Sequence, residues 1–364
     1  MTEGTGGTVA RDVLVERLFK AGIGALEIFH IYLGDRLGLY RAIADRGPLS
    51  ASELATAAGI NRRYAREWLE EQAVAGLIEM DGRSDDPDER RYRLSPAQAE
   101  VLLDTDSVNF LAPLGQAMVG IGRAMPLVAE AFRTGGGVPY EAYGSEMRGA
   151  IERLNRPVFM NLMGAQWLPA IPDVDRRLRE QPPARVADVG CGTGWSSIAI
   201  ALAYPTATVD GIDLDSASID EARRNAANRG VADRVSFLVR NAADPSLAGV
   251  YDLVTAFETI HDMADPVGAL RAMRALTKSG GAVLIADEKA AHEFEAPGDD
   301  LERFLYGWSA VHCLPASMVE PGSAGTGTVM RPSTLRTYAQ EAGFAEVEIL
   351  AVETDSWRFY RLHP

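Results

Sequence analysis

The residues best placed to do chemistry are nine in a row, Val186-Ala187-Asp188-Val189-Gly190-Cys191-Gly192-Thr193-Gly194. A short apolar run enters a turn with glycine at every second position, and a helical pattern follows from near Ser196. A backbone bent this tightly, with no Cβ at alternate positions, lets a ligand lie against the main chain at the carboxyl end of a strand. The spacing excludes two phosphate cradles. A dinucleotide loop needs Gly-x-Gly-x-x-Gly and a P-loop needs Gly-Lys-Ser/Thr, and neither occurs. Nineteen residues beyond Gly194, Asp213 closes Asp210-Gly211-Ile212-Asp213, where a carboxylate can accept both hydroxyls of a ribose. The pair points to an adenosyl ligand without a pyrophosphate; a purely structural tight turn is the plain alternative.

The turn needs a sheet beneath it. From Arg185 onward, short β-branched runs (Val186 to Val189, Thr208 to Ile212, Val235 to Val239, Leu253 to Phe257, Ala282 to Ala286) alternate with helical patterns, which predicts βαβ units and a parallel sheet covered on both faces. Val347 to Val352 and Trp357 to Leu362 are close enough to form a terminal hairpin. Upstream, residues 11 to 46 carry apolar positions at helical spacing with one stripe to bury. Ser50 and Glu53 form a capping-box pattern for a helix from Ala51 to Ala58, stopped by Gly59. Asn61 caps a second helix, Arg62 to Ala75, with Tyr64, Trp68, Leu69 and Ala73 on one face. Leu77 to Met80 and Arg91 to Leu94, either side of a polar turn, complete a winged helix. Residues 97 to 180 read as short helices interrupted by prolines and by Gly135-Gly136-Gly137.

The glycine motif and the acid resemble those of class I S-adenosylmethionine-dependent methyltransferases. With the winged helix, the helical middle layer and Phe257-Glu258-Thr259-Ile260-His261-Asp262-Met263, nearly the whole chain is similar to the plant and bacterial small-molecule O-methyltransferases. Gly135 to Tyr140 and His312-Cys313 resemble a bacterial group of winged-helix methyltransferases from which no substrate carries over. The resemblance implies an α/β fold: a Rossmann-like, mostly parallel sheet with a C-terminal antiparallel hairpin, behind a mainly helical winged-helix domain that makes a homodimer. The expected boundaries are 1–105 for that domain, 106–180 for a helical linker and substrate cap, and 181–364 for the methyltransferase domain.

It also implies S-adenosylmethionine as cofactor and S-adenosylhomocysteine as product; no metal is expected, on the spacing of the cysteines. Asp188, Gly190, Cys191, Gly192, Gly194, Asp213 and Leu214 would hold the cofactor. Asn241 and Ala242 stand where the family has Asp-Ala beside the adenine, and an Asn oxygen can still accept from an amino group. Phe257 and Glu258 would border the methionine end. The family's His-Asp-Trp segment, whose His is the catalytic base, corresponds to His261-Asp262-Met263. An imidazole near the methyl group can take the proton of a phenol or enol during attack. Asp287 or Glu288, at the end of the fifth strand, would orient the ring. A satisfied structural histidine is the alternative for His261.

His312 is the rival base, in a region with Phe304, Tyr306, Trp308 and Met318 that would cap the substrate. Tyr143, Met147, Phe159, Met163 and Trp167 could line a pocket for a planar acceptor, or simply pack helices. Cys191 sits between two glycines of the turn and His312-Cys313 are adjacent, so neither has the two- to four-residue ligand spacing of zinc sites. Gly322 to Gly327 has no following lysine and reads as a lid hinge.

Composition bounds the rest. The chain has 364 residues, enough for two or three domains, with 47% hydrophobic and 24% charged residues, which excludes a disordered chain. Its longest apolar run, Ile198 to Tyr204, is far short of the roughly twenty residues of a membrane span. The N-terminus lacks a secretory pattern and two cysteines make no disulfide framework, so a cytoplasmic setting is expected. A net charge of −15 disfavours nucleic acid and anionic membranes as partners. The sequence therefore reads as a small-molecule methyltransferase acting on a hydroxyl oxygen. N- or C-methylation, or an S-adenosylmethionine-sensing winged-helix regulator, are the alternatives.

Overall fold

The computed structural model describes residues 3–241, 249 and 251–364. Its contacts divide the chain into two compact units, Met1–Gly122 with Gly149–Leu154, and Arg123–Arg148 with Asn155–Pro364. The first contains α1 (Glu3–Arg36), α2 (Leu39–Arg46), α3 (Ala51–Ala58), α4 (Arg62–Val74), the short strands β1 (Glu79–Met80) and β2 (Tyr92–Arg93), and α5 (Pro96–Leu103). Local chemistry sets the boundaries. The Glu53 N–H donates to Ser50 Oγ while the Ser50 N–H donates to Glu53 Oε2, closing the capping box of α3. Gly59 ends that helix at φ 66°, and Asn61 Oδ1 accepts the Arg63 N–H to start α4.

The core of this unit joins Leu39, Tyr40, Ile43, Leu54, Ala65, Trp68, Leu69 and Tyr92. Tyr64 is not on the buried face, as its spacing from Trp68 predicts, but 77% exposed. The face turned inward is Ala65, Trp68, Leu69 and Gln72, an i, i+3, i+4, i+7 set that leaves Tyr64 one position out. The stripe of α1 differs in the same sense. Leu14, Leu18, Phe19 and Leu26 are each more than half exposed in the single chain.

Helices α6 (Pro113–Thr134) and α7 (Gly144–Leu162) are shared between the units. In the first unit Arg153, on α7, grips both carboxylate oxygens of Asp35 at 2.6 and 2.7 Å.

The second unit continues with α8 (Pro172–Arg179), β3 (Arg185–Val189), α9 (Trp195–Ala203), β4 (Thr208–Asp213), α10 (Ser216–Asn228), β5 (Val235–Val239), β6 (Tyr251–Phe257), α11 (Pro266–Leu276) and β7 (Thr277–Glu288). Then come α12 (Asp300–Val311), α13 (Cys313–Ser317), α14 (Pro332–Glu341), β8 (Glu346–Ile349) and β9 (Trp357–His363). The strands form one sheet in the order β5-β4-β3-β6-β7-β9-β8, parallel from β5 to β7, with β9 antiparallel to both β7 and β8.

Side chains alternate between its faces. Ala282, Leu284 and Ala286 of β7 pack on one side with Ile198 of α9 and Ile219 of α10. Val283 and Ile285 pack on the other with Leu270 of α11 and Leu335 of α14. Both faces of the centre of the sheet are covered, so β3, β6 and the second half of β7 are almost wholly buried, and the carboxyl edge of the sheet is left to carry function. Among the described residues no helix is long and apolar enough to cross a membrane.

Candidate active site

The glycine turn grows directly out of β3 and is pinned to its neighbour: the Gly190 and Cys191 N–H groups both donate to the carbonyl of Ile212 on β4, at 2.7 and 3.2 Å. Gly190, Gly192 and Gly194 all have positive φ (70°, 51° and 82°), the region in which an L side chain is strained. Their surroundings differ. A Cβ at Gly190 would overlap the Thr259 side chain and one at Gly194 the Phe237 ring, whereas a Cβ at Gly192 would meet nothing within 4 Å. The main chain at Gly192 therefore faces open space, the cradle a ligand needs.

Asp188 is almost fully buried and spends its oxygens inside the protein. Ser196 and Ser197 hydroxyls donate to Oδ2 at 2.6 Å each, and Thr255 donates to Oδ1 at 2.8 Å. Burial pushes its pKa up, and these hydroxyls partly offset that. Asp188 thus ties strand, turn and helix together. The adjacent serines were the signal in the sequence for this role, which periodicity alone passed over. Cys191 is buried, and burial pushes its thiol well above the usual range, so no nucleophile is built there.

Asp213 sits at the end of β4 facing the same turn. Oδ2 accepts the Gly192 N–H at 2.8 Å and Oδ1 accepts the Asp215 N–H at 2.9 Å. Burial raises its pKa against those two N–H donors. Each oxygen keeps a lone pair, which suits the two hydroxyls of a ribose. Leu214 beside it is largely exposed and Asn241 is exposed at the end of the third parallel strand; Ala242 lies outside the described residues. A Cβ-free cradle next to an acceptor for a diol fits an adenosyl cofactor.

The second cluster lies past the end of β6. Phe257 is buried edge-on against Phe159, with ring centres 5.7 Å apart. Glu258 has a φ of 50°, the one described residue other than glycine with positive φ. Its Oε2 accepts from Asn155 Nδ2. Burial, with Asp287 nearby, moves its pKa up to about 7. Strain and a perturbed acid at one residue are common at functional sites. Asn155 was invisible in sequence, standing 103 residues from its partner.

His261, in a short helical turn over Ile260–Asp262, is buried and places Nδ1 2.6 Å from Asp287 Oδ1. Nε2 is 3.4 Å from Asp262 Oδ1. Burial disfavours the imidazolium, yet the Asp287 and Asp262 carboxylates outweigh it and hold the pKa well above the usual histidine value. Of the two acids the sequence left open, Asp287 contacts the ring. Glu288 instead has its carboxyl pushed well up by burial and by Glu258.

His312 joins α12 to α13 and is boxed by the Tyr140, Tyr143 and Trp308 rings, with centres 5.9, 4.8 and 5.9 Å away. Burial lowers its pKa, and its Nε2 has no hydrogen-bond partner. The Gly327 N–H donates to the His261 carbonyl at 3.2 Å, which sets the glycine-rich segment against the same turn.

The expected substrate-lining residues separate. Tyr143 is fully buried, its hydroxyl donating to the Val311 carbonyl at 3.0 Å, and Met147 is fully buried as well. Met163 and Trp167 lie in the core under the sheet, with the Trp167 ring tilted against Trp357 (centres 4.9 Å apart) and Phe359 (5.2 Å). The structure thus puts Tyr143 beside His312 and gives Met163 and Trp167 to packing.

Residues 181–316 match the family described as "Methyltransferase domain", and residues 25–103 match the "Rv2258c-like winged HTH domain". The ubiquinone biosynthesis O-methyltransferase of Burkholderia pseudomallei is 29% identical over 171 residues, 47% of this chain and 68% of that protein. Human N-acetylserotonin methyltransferase in complex with S-adenosylmethionine superposes with a TM-score of 0.73 at 16% identity, covering 96% of this chain and 97% of that one. An O-methyltransferase from neocarzinostatin biosynthesis, in complex with S-adenosyl-L-homocysteine and 1,4-dihydroxy-2-naphthoic acid, gives 0.60 at 20% identity over 93% and 95%.

Proposed function

We propose that this chain, an S-adenosylmethionine-dependent methyltransferase by its matched domain, moves the methyl group to a hydroxyl oxygen of a small molecule, with His261 as general base. The cofactor, when bound, supplies a methyl already activated by a sulfonium. What this chain supplies is alignment and a place for a proton. Asp213 and the turn from Gly190 to Gly194 would hold the adenosyl part, with Leu214 and Asn241 at its rim and Phe257 and Glu258 towards the methionine end. The single observation that carries the base role is the 2.6 Å contact between His261 Nδ1 and Asp287. It keeps a hydrogen on Nδ1, so Nε2 is the nitrogen that, once the ring has lost its second proton, accepts the acceptor's hydroxyl proton; the raised pKa of the ring means that activity should rise with pH. His312, with the aromatic rings around it, is proposed to face the acceptor.

The base favours oxygen over nitrogen, because a neutral amine needs little help in losing its proton. The regulator reading is disfavoured by α4, where Arg62 pairs with Asp88, Arg63 with Glu67 and Arg66 with Glu70, leaving no clustered basic face for phosphates. The exposed apolar stripe of α1 supports a homodimer formed through the N-terminal unit.

The test is calorimetric titration with S-adenosylmethionine and S-adenosylhomocysteine, followed by methyl transfer to phenols, enols and amines. Micromolar binding with transfer to a hydroxyl, reduced about a hundredfold or more in His261→Ala with cofactor affinity kept, is the expected result. Wild-type turnover in that variant removes the base role, and no heat from folded protein removes the cofactor.

A further inference from the structure

We propose that the protein also carries a site for a borderline-soft divalent metal ion, of which zinc is the type, formed by His261 Nε2, Asp262 Oδ1 and Cys313 Sγ. Sequence spacing shows nothing of it, since Cys313 is separated from the other two by half a hundred residues and comes from a different helix. The fold brings all three ligand atoms within 4.8 Å of one another. With metal–ligand bonds of about 2.0–2.3 Å, a tetrahedral site needs its ligand atoms roughly 3.3–3.8 Å apart. Nε2 and Oδ1 already stand at 3.4 Å, so closure needs movement of the Cys313 side chain by about 1 Å, within reach of a small side-chain rotation.

Three observations point to a positive centre at this spot. Asp287 holds the far nitrogen of the ring, the carboxylate–histidine arrangement that orients metal-binding imidazoles and leaves the Nε2 lone pair outward. That lone pair faces a carboxylate oxygen, Asp262 Oδ1, which is buried and has no hydrogen-bond partner. A proton on Nε2 fills the gap between them, and a divalent cation that displaces it would meet the same nitrogen and oxygen. Finally, the Cys313 thiol is buried beside them, and His312 Nδ1 lies 3.4 Å from its sulfur. As the metal binds, the thiol proton and the proton on His261 Nε2 are both released to solvent, and His312 Nδ1 can donate to the resulting thiolate. One nitrogen, one oxygen and one sulfur select zinc or cobalt(II) over magnesium or calcium, which take oxygen ligands. A bound ion would occupy the lone pair that accepts the proton, so it would act as a reversible block. That consequence rests on the base role of His261; the binding does not.

The experiment is titration of chelator-treated, full-length protein with cobalt(II) chloride, without any acceptor, followed by absorption. The expected result is one equivalent bound, with a thiolate-to-cobalt charge-transfer band in the near ultraviolet that zinc abolishes and magnesium does not. Cys313→Ser loses that band and Cys191→Ser keeps it. Because Cys313 is buried, Asp262→Asn at a half-exposed position serves as the second variant, and it weakens binding at least tenfold with the fold checked by circular dichroism. No band in folded wild-type protein, or a band unchanged in both Cys313→Ser and Asp262→Asn, overturns the site. In methyl transfer, cobalt or zinc binding with turnover undiminished would overturn the base role of His261 while upholding the site.

Discussion

His261 Nδ1 and Asp287 Oδ1 lie 2.6 Å apart, and both residues are buried. The pair joins the turn after β6 to the end of β7, two neighbouring parallel strands, so its geometry is set by the sheet register and not by a flexible loop. Replacing Asp287 with Asn removes the charge that holds the tautomer and opposes burial. Asp287→Asn should lower kcat on a hydroxyl acceptor by about a hundredfold or more and leave S-adenosylhomocysteine affinity within a fewfold of wild type. Steady-state kinetics beside calorimetry check this, and equal losses in both would make the residue structural.

Asp213→Ala should weaken S-adenosylmethionine by roughly 1–3 kcal/mol through lost charge-assisted hydrogen bonds to the ribose. Since Asp213 also accepts the Gly192 N–H, part of the loss comes from a loosened turn. Asp213→Asn, which keeps an acceptor oxygen, should lose less. An unchanged titration in the alanine variant refutes the ribose assignment.

The glycines of the turn should fail in different ways. At Gly190 an added Cβ runs into Thr259, so Gly190→Ala should lower the thermal midpoint as well as binding. Gly192→Ala meets no protein atom and costs only the left-handed backbone, about 1–2 kcal/mol, but places a methyl in the cradle proposed for the cofactor. It should stay folded and bind S-adenosylhomocysteine poorly. Tight binding by folded Gly192→Ala would show that the cradle is not used.

Stability should fall with rising pH through Glu258. Its pKa is raised on folding from 4.5 to about 7, so the folded state holds the proton more tightly than the unfolded one. The stabilisation is therefore full below 4.5, is lost progressively as pH rises to about 7, and changes no further above that. Glu258→Gln, which cannot ionise, should flatten this part of the profile in thermal melts at a series of pH values. A profile as steep as wild type assigns the slope to another group.

Breaking the stripe of α1 should separate protomers. Leu18→Asp combined with Leu26→Asp changes two positions that are more than half exposed in the single chain, so the fold of each unit should survive. Sedimentation velocity should show a dimer in the wild type and a monomer in the variant; a monomeric wild type ends the dimer reading.

Much of this protein is determined by sequence alone. Strand positions from Arg185 onward, the capping box at Ser50, the cap at Asn61 and the glycine turn followed by Asp213 all depend on neighbours within a few residues or on a fixed βαβ repeat, and such signals are local. The buried face of α4 was misread at Tyr64 because apolar spacing does not say which of two adjacent rows meets the core. Only the tertiary structure decided the rest. It chose Asp287 over Glu288 for the His261 ring, since successive residues of a strand point to opposite faces. It spent the oxygens of Asp188 on Ser196, Ser197 and Thr255, and it sent Trp167 into the core. It brought Asn155 to Glu258 and Cys313 to His261, pairs separated by 103 and about fifty residues, which no periodicity encodes because the closing of the fold sets their distance.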